Sequence, residues 1–232
     1  MKSPTVALLL AASSALGQGT FQNFDFESAL IDQTHPPGFV SAMDALPSWT
    51  PFISTNQQTQ IGFNSQCTGG TCIWLLGTNG SDVSSLKSID GGFSLLLQGG
   101  VSGGAVLYPT AASIRQNGFV PSSAQSILFK AQHDTSGALS VSLEGIDIPF
   151  VALSNSPNYT LYGGDISAFA GQTALLEFSV SRFPGFDYSD WLIDSIQFSA
   201  QQIPEPNILT LFALGTVLLA WRFLRQTRHQ LL

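Results

Sequence analysis

Residues Leu139–Glu144 read Leu-Ser-Val-Ser-Leu-Glu, a strict alternation of apolar and polar side chains. Successive side chains of a β-strand point to opposite faces of the sheet, so this period of two predicts a strand with one buried and one wet face. Similar short runs, separated by Gly, Pro, Ser and Asn, recur in both directions along the chain. We predict about a dozen strands, at residues 21–27, 60–63, 73–76, 93–98, 105–108, 113–116, 126–131, 139–144, 148–153, 159–162, 174–180 and 191–198.

The same region lacks a helical pattern. From Thr20 to Ala200 no stretch shows the 3.6-residue period of an amphipathic helix, and only a helical turn at Asp165–Gly171 is expected, with Asp165 as its N-cap. The pattern predicts an all-β fold, a single β-sandwich of the jelly-roll type over residues 18–202. The chain has 17 Phe, which suit one sizeable core.

The N-terminus has the form of a secretory signal. Lys2 supplies a positive charge, Val6–Ala12 is apolar but too short to cross a bilayer, and Ala15-Leu16-Gly17 has the small residues that signal peptidase accepts. We predict a signal peptide at residues 1–17. The alternative is a buried N-terminal helix.

The C-terminus has the form of a membrane anchor. Asn207–Trp221 is apolar and would span about 22 Å as a helix, and Phe223 and Leu224 can lengthen it while Arg222 reaches the headgroups. We predict a transmembrane helix at about 207–224. The basic residues that follow predict a cytoplasmic C-terminus: Arg222, Arg225 and Arg228.

Ile203-Pro204-Glu205-Pro206 precedes this helix, and the order of Pro-Glu-Pro, short apolar helix and Arg cluster resembles the PEP-CTERM sorting signal of exported bacterial proteins. The resemblance covers residues 203–228. It implies that an exosortase-type enzyme recognises Pro204, Glu205 and Pro206 in an inner-membrane precursor, which then reaches the cell surface or the medium. Two prolines keep such a segment extended. The alternative is an ordinary single-pass anchor.

Charge and cysteines narrow the class of protein. Residues 18–202 carry 4 basic and 14 acidic side chains, so a nucleic-acid partner is excluded. The only cysteines, Cys67 and Cys72, lie in Cys-Thr-Gly-Gly-Thr-Cys. In an exported protein this spacing favours a local disulfide. Zinc would lack two further ligands, and a redox pair would have unusual spacing.

A second resemblance, spread over residues 21–198, is to the galactose-binding-like jelly rolls of carbohydrate-binding modules. It rests on the patterns at Asn23–Glu27, Ser94–Gln98, Leu128–Ala131 and Trp191–Phe198. It implies that Glu27 and Asp194, near the first and last strands, could hold a structural calcium ion, which takes six to eight oxygen ligands.

Flat aromatic rings could stack on sugars, although such rings are more often in the core. If one of these rings is exposed to bind a ligand, we expect it to be Trp49, because Pro47 and Pro51 bracket its loop. No catalytic residue is assigned: the histidines are scattered, and the acidic residues Asp187, Asp190 and Asp194 suit a loop that leads into the last strand.

These patterns predict an exported, non-enzymatic component of the cell surface or extracellular matrix, structural or carbohydrate-interacting. Its partners would be signal peptidase, an exosortase-type enzyme, the inner membrane before processing, and polysaccharide. The alternatives are a secreted carbohydrate-active hydrolase or lyase, and a membrane-anchored adhesin that binds a protein.

Overall fold

A computed structural model describes residues 19–65, 69–80, 86–102, 108–133, 138–182 and 185–203. The predicted signal peptide, sorting motif and transmembrane helix therefore lie outside the described residues. Within those ranges, no helix has the length and apolar character needed to cross a membrane. Most of the described chain is strand, so the predicted all-β class is confirmed.

The strands, in chain order, are β1 (Gly38–Ser41), β2 (Thr50–Ile53), β3 (Asn56–Gln57), β4 (Gln60–Phe63), β5 (Cys72–Gly77), β6 (Phe93–Ser102), β7 (Tyr108–Thr110), β8 (Ala112–Phe119), β9 (Ser126–Gln132), β10 (Ala138–Leu143), β11 (Ile146–Asp147), β12 (Phe150–Asn155), β13 (Thr160–Asp165), β14 (Thr173–Ser181) and β15 (Ser189–Ser199). The helical elements among the described residues are α1 (Ala42–Ala45) and a 3-10 turn (Ser167–Phe169).

The strands form two sheets. The larger has the order β1-β4-β5-β6-β15-β9-β13-β12, with β7 beside β6, and the smaller has the order β11-β10-β14-β8-β2-β3. The pairs within the larger sheet are antiparallel except β4 with β5. The last strand, β15, lies between β6 and β9 in the middle of the larger sheet.

The two sheets pack face to face around one apolar core, as in a sandwich. Phe129 of β9 and Phe178 of β14 meet edge to face across it, with ring centroids 5.3 Å apart. The alternation of β10 agrees with this arrangement, because Val141 and Leu143 are buried whereas Ser140 is exposed. The period of two thus predicted the inward face correctly.

A smaller apolar cluster lies on the other face of the larger sheet. It consists of Cys72, Trp74, Leu76, Ile89, Leu96 and Leu192, with Leu86 and Tyr159 packed against it. These side chains alternate with those that enter the main core, so the central strands are apolar on both faces. This explains why β5 reads as an unbroken apolar run, Cys-Ile-Trp-Leu-Leu, rather than as an alternation.

The predicted strand at 21–27 is wrong. Asn23 and Phe26 have φ of 52° and 59°, which places them in the left-handed region, and the segment forms turns across one end of the sandwich. Its aromatic rings still serve the core: Phe26 is fully buried, and Phe24 contacts Trp49 with centroids 5.9 Å apart. Period-two aromatics here reflect packing and not a β ladder.

Candidate functional site

Glu27, one of the two predicted calcium ligands, holds the turn that leads into β6. Its Oε1 accepts hydrogen bonds from the backbone N–H of Gly92 at 2.7 Å and of Phe93 at 3.0 Å. A Cβ on Gly91 would lie 2.3 Å from the same oxygen, and the φ of Gly91 is +54°. The carboxylate therefore needs glycine at this turn, and it satisfies two backbone donors there.

Asp194, the other predicted ligand, is buried in the middle of the larger sheet with 1% of its surface exposed. The hydroxyl of Ser94 donates to Oδ2, and the backbone N–H of Ser195 donates to Oδ1 at 2.5 Å. Burial raises the pKa of Asp194 to about 7, although these two hydrogen bonds lower it, and the charges of Asp90 and Glu27 raise it further. A carboxyl in this setting is half protonated near neutral pH.

Ser94 links Asp194 to the turn. Its Oγ also accepts the backbone N–H of Ile89 at 2.9 Å, while its hydroxyl donates to Asp194. Ser94 is fully buried, and its hydroxyl therefore needs the hydrogen bonds that it makes. The chain from the Ile89 backbone through Ser94 to Asp194 ties the turn before β6 to the last strand.

A second carboxylate, Asp90, lies next to this chain and is paired with Lys130 of β9. The Lys130 ammonium and the Ser195 hydroxyl (2.7 Å) both donate to Asp90 Oδ2. The hydrogen bond from Lys130 lowers the pKa of Asp90 most, and that from Ser195 lowers it further; the same bond raises the pKa of Lys130. The ammonium also lies 5.0 Å from the ring centroid of Tyr159.

Ser195 occupies an irregular point of β15. Its φ is 48°, and the pairing of β15 with β9 shifts register between Asp194 and Gln197. A bulge of this kind redirects side chains, and here it lets consecutive residues contribute to one polar cluster. We call Glu27, Asp90, Ser94, Lys130, Asp194 and Ser195 the acidic cluster.

The side chains of the acidic cluster are already engaged with protein groups. Among the described residues, no group of three or more His, Cys, Asp or Glu side chains could hold a metal ion. Lys130 supplies the positive charge beside the carboxylates, and Glu27 and Asp194 accept hydrogen bonds from backbone and hydroxyl donors. A calcium ion would depend on backbone carbonyl oxygens and water for most of its ligands. The calcium site stays a prediction.

Trp49 was expected to be an exposed binding ring, and this is wrong. It is 5% exposed, its ring packs against Phe24 and Phe26, and its Nε1–H donates to the backbone oxygen of Asn23 at 2.9 Å. The flanking prolines shape the loop, but the indole of Trp49 points into the core, where its N–H has a hydrogen-bond partner. Trp74 and Trp191 are buried as well, at 6% and 5% exposed.

The described residues also line several surface depressions. An apolar groove of about 510 Å³ is lined mainly by Phe21, Phe24, Phe119, Ile196 and Phe198. A small polar pocket of about 190 Å³ lies where β9 ends beside the β12–β13 turn. Its lining includes Gln132, His133, Asn158, Tyr159 and Thr160. Neither place could be predicted from the sequence, because segments that are separated in the chain line each of them.

The cysteine pair is described only in part. Cys72 begins β5, is 8% exposed and is not a free thiol. Cys67 lies outside the described residues, as do Pro204, Glu205, Pro206, Arg222, Arg225 and Arg228. The Cys67–Cys72 disulfide and the roles of the sorting residues therefore stay predictions.

The described chain ends at Ile203, and that end is fixed to the domain. The Ser126 hydroxyl donates to the Gln201 carbonyl oxygen at 2.7 Å, and the Gln125 N–H donates to the Ser199 carbonyl oxygen at 2.8 Å. The side chain of Ile203 lies over Gly163 of β13, where an added Cβ would come within 2.5 Å of Ile203 Cδ1. The last described residue, Ile203, is thus held against β13, and Pro204 follows it in the sequence.

No family model, curated protein or solved structure matches this chain. The candidate sites therefore depend on the residues and contacts described above.

Proposed function

We propose that this protein is an exported, non-enzymatic cell-surface or matrix component with a jelly-roll ectodomain, sorted by an exosortase-type enzyme at Pro204-Glu205-Pro206. One observation carries the proposal. The described chain is pinned through Gln201 and Ile203, and the Pro-Glu-Pro motif, an apolar segment and three arginines then follow without an intervening linker. A secreted domain joined so directly to a short membrane span is suited to anchoring and processing, since the motif would lie next to the bilayer.

The contacts of the acidic cluster favour a structural role for its carboxylates. A glycosidase needs two carboxyl groups that both reach the substrate. Asp194 is 1% exposed, and both of its oxygens accept hydrogen bonds from the protein. Asp90 is occupied by Lys130 and Ser195. These contacts support a structural or ligand-binding protein rather than a glycosidase.

Carbohydrate binding is the second candidate, and the polar pocket beside the β12–β13 turn favours it. The pocket is small, about 190 Å³, and its lining combines the polar residues Gln132 and Asn158 with the aromatic residue Tyr159. Binding of soluble mono- and oligosaccharides, measured by NMR titration, would test this role. Loss of binding in Asn158→Ala but not in Asn56→Ala, an exposed asparagine of β3, would place the ligand in this pocket.

Sorting is tested in an exporting bacterium that has an intact processing enzyme. We expect mass spectrometry to show that protein from the surface or medium lacks Arg222, Arg225 and Arg228. Glu205→Ala should retain the full C-terminus to Leu232 and remain in the inner membrane. Gln202→Ala, an exposed neighbour outside the motif, should be processed normally. Unchanged release of Glu205→Ala, or wild-type protein that keeps Leu232, would contradict the proposal.

A further inference from the structure

The outer surface of β9, β13 and β12 has an apolar patch where Ile203, the last described residue, packs. Cross-strand pairing places Val151, Gly163 and Leu128 side by side on this face. Gly163 forms the floor of a socket: an added Cβ would meet Cδ1 of Ile203 at 2.5 Å, and Cδ2 of Leu128 and Cδ1 of Leu153 at 2.8 Å each. We call Leu128, Val151, Leu153, Gly163 and Ile203 the exit face.

The exit face is partly open to solvent. Val151 is 41% exposed and Leu153 is 37% exposed, whereas Ile203 fills the socket between Leu128 and Leu153. The strand that carries Val151 and Leu153 is an edge strand: among the described strands, β12 pairs only with β13. Edge strands of soluble proteins are usually protected by charged residues or proline. No charged residue occurs from Pro149 to Gly164, which includes all of β12.

The length of the remaining chain says what lies next to this face. The predicted membrane helix begins at Asn207, four residue steps after Ile203, and four extended residues reach at most about 14 Å. The two prolines at 204 and 206 restrict how that short segment can bend. Because Ile203 is held in the socket, the exit face cannot lie far from the point where the chain enters the bilayer.

We propose that the exit face rests against the outer surface of the phospholipid bilayer in the unprocessed protein, with Ile203 setting this orientation. The inference depends on the proposed membrane anchoring. Lipid headgroups and the upper acyl chains would cover Val151 and Leu153, whose burial is favourable, and the uncharged hairpin avoids repulsion from anionic lipid. The opposite sheet, which carries Leu175 on its outer surface, points away from the membrane.

The test uses the full chain reconstituted into vesicles of phosphatidylethanolamine and phosphatidylglycerol that contain a lipid with a nitroxide on its headgroup. A fluorophore is attached at Val151→Cys in one sample and at Leu175→Cys in the control. Leu175, on β14, is exposed to a similar extent, 37% against 41%. Flotation of the vesicles shows whether the chain is anchored, and tryptophan fluorescence shows whether the domain is folded.

We expect the nitroxide lipid to quench the probe at residue 151 several-fold more than the probe at residue 175. Ile203→Ser should bring the two values closer together without reducing flotation. Equal quenching of both probes in floated protein overturns the inference while leaving the anchor intact. Protein that fails to float overturns both the anchor and the inference. A residue-151 probe shielded from aqueous iodide but not quenched by the lipid would assign the face to a second copy, and would overturn the inference as well.

Discussion

The buried carboxyl of Asp194 makes a quantitative prediction about stability and pH. Its pKa in the folded protein is about 7, whereas an ordinary aspartate titrates near 3.8. Between these values the folded state holds a proton that the unfolded state has released, so stability falls as pH rises through this range and is level above it. The difference between the two pKa values corresponds to about 4 kcal/mol. This is the largest decrease in unfolding free energy that ionisation of Asp194 can cause.

Asp194→Asn replaces the carboxyl with a neutral group of the same shape. The asparagine side chain has one oxygen, which can accept from Ser94 or from Ser195, and an NH₂ group, which cannot accept. One hydrogen bond is therefore lost, which costs about 1 kcal/mol. At about pH 5 the variant should therefore be slightly less stable than the wild type. At about pH 8, where the wild type buries a charge, the variant should be more stable, by up to about 3 kcal/mol.

Urea unfolding followed by tryptophan fluorescence measures these changes, with the full-length protein in a mild non-ionic detergent. Asp187→Asn, which alters an exposed carboxylate in the loop before β15, is the matched control and should keep the wild-type slope with pH. The lowered pKa of Asp90 acts in a different range, because the stability that it contributes is lost only as pH falls below about 4. Wild-type stability that stays level or rises from about pH 5 to pH 7, or a variant that keeps the full slope, would refute the account of Asp194.

Three further predictions concern packing, metal and redox state. Gly62→Ala should destabilise the domain by about 1–3 kcal/mol in urea unfolding, because the added Cβ would lie 1.5 Å from Cε3 of Trp74. Gly19→Ala is the control: its Cβ would enter open space, so stability should not change. Unchanged stability of Gly62→Ala would show that the Trp74 indole moves freely. Lys130 pairs with Asp90, and Glu27 and Asp194 accept hydrogen bonds from protein donors, so millimolar calcium or a chelator should leave the thermal midpoint unchanged. A calcium-dependent rise that Glu27→Gln abolishes would instead establish the calcium site. Alkylation of the denatured exported protein should modify Cys67 and Cys72 only after reduction, and labelling without reductant would exclude the disulfide.

The fold class followed from local patterns, while several of its parts did not. The alternation at Leu139–Glu144 and the apolar runs of β5 and β15 became strands within a residue or two of the predicted bounds, whereas β6 begins where predicted and continues four residues further, to Ser102. The helical turn expected at Asp165–Gly171 is the 3-10 turn at Ser167–Phe169, where Oδ1 of Asp165 accepts the Ser167 N–H at 2.8 Å. The short strands β1, β2 and β3 were missed, because two to four residues carry too little periodicity to stand out.

The candidate site shows the same division. Glu27 and Asp194 were predicted as calcium ligands, which stays a prediction; the structure places Glu27 against the turn before β6 and Asp194 against Ser94 of β6. Their partners were not identified: Ser94 and Lys130 are ordinary strand residues in sequence, and they reach Asp194 and Asp90 only because β6 and β9 flank β15. Trp49 was misjudged because a proline-bracketed loop says where the backbone turns and not which way the indole points.

The sequence by itself determined the acidic low-charge character and the all-β class, since each depends on composition, on charge or on a period within a few residues. The export signals that it predicts stay predictions. Only the tertiary structure decided that Asp194 and Trp49 are buried and that Ile203 packs against β13. Those properties depend on strand order. A residue's solvent exposure, its hydrogen-bond partners and its pKa are set by neighbours that are distant in the chain, such as Ser94 and Asp194, which lie 100 residues apart.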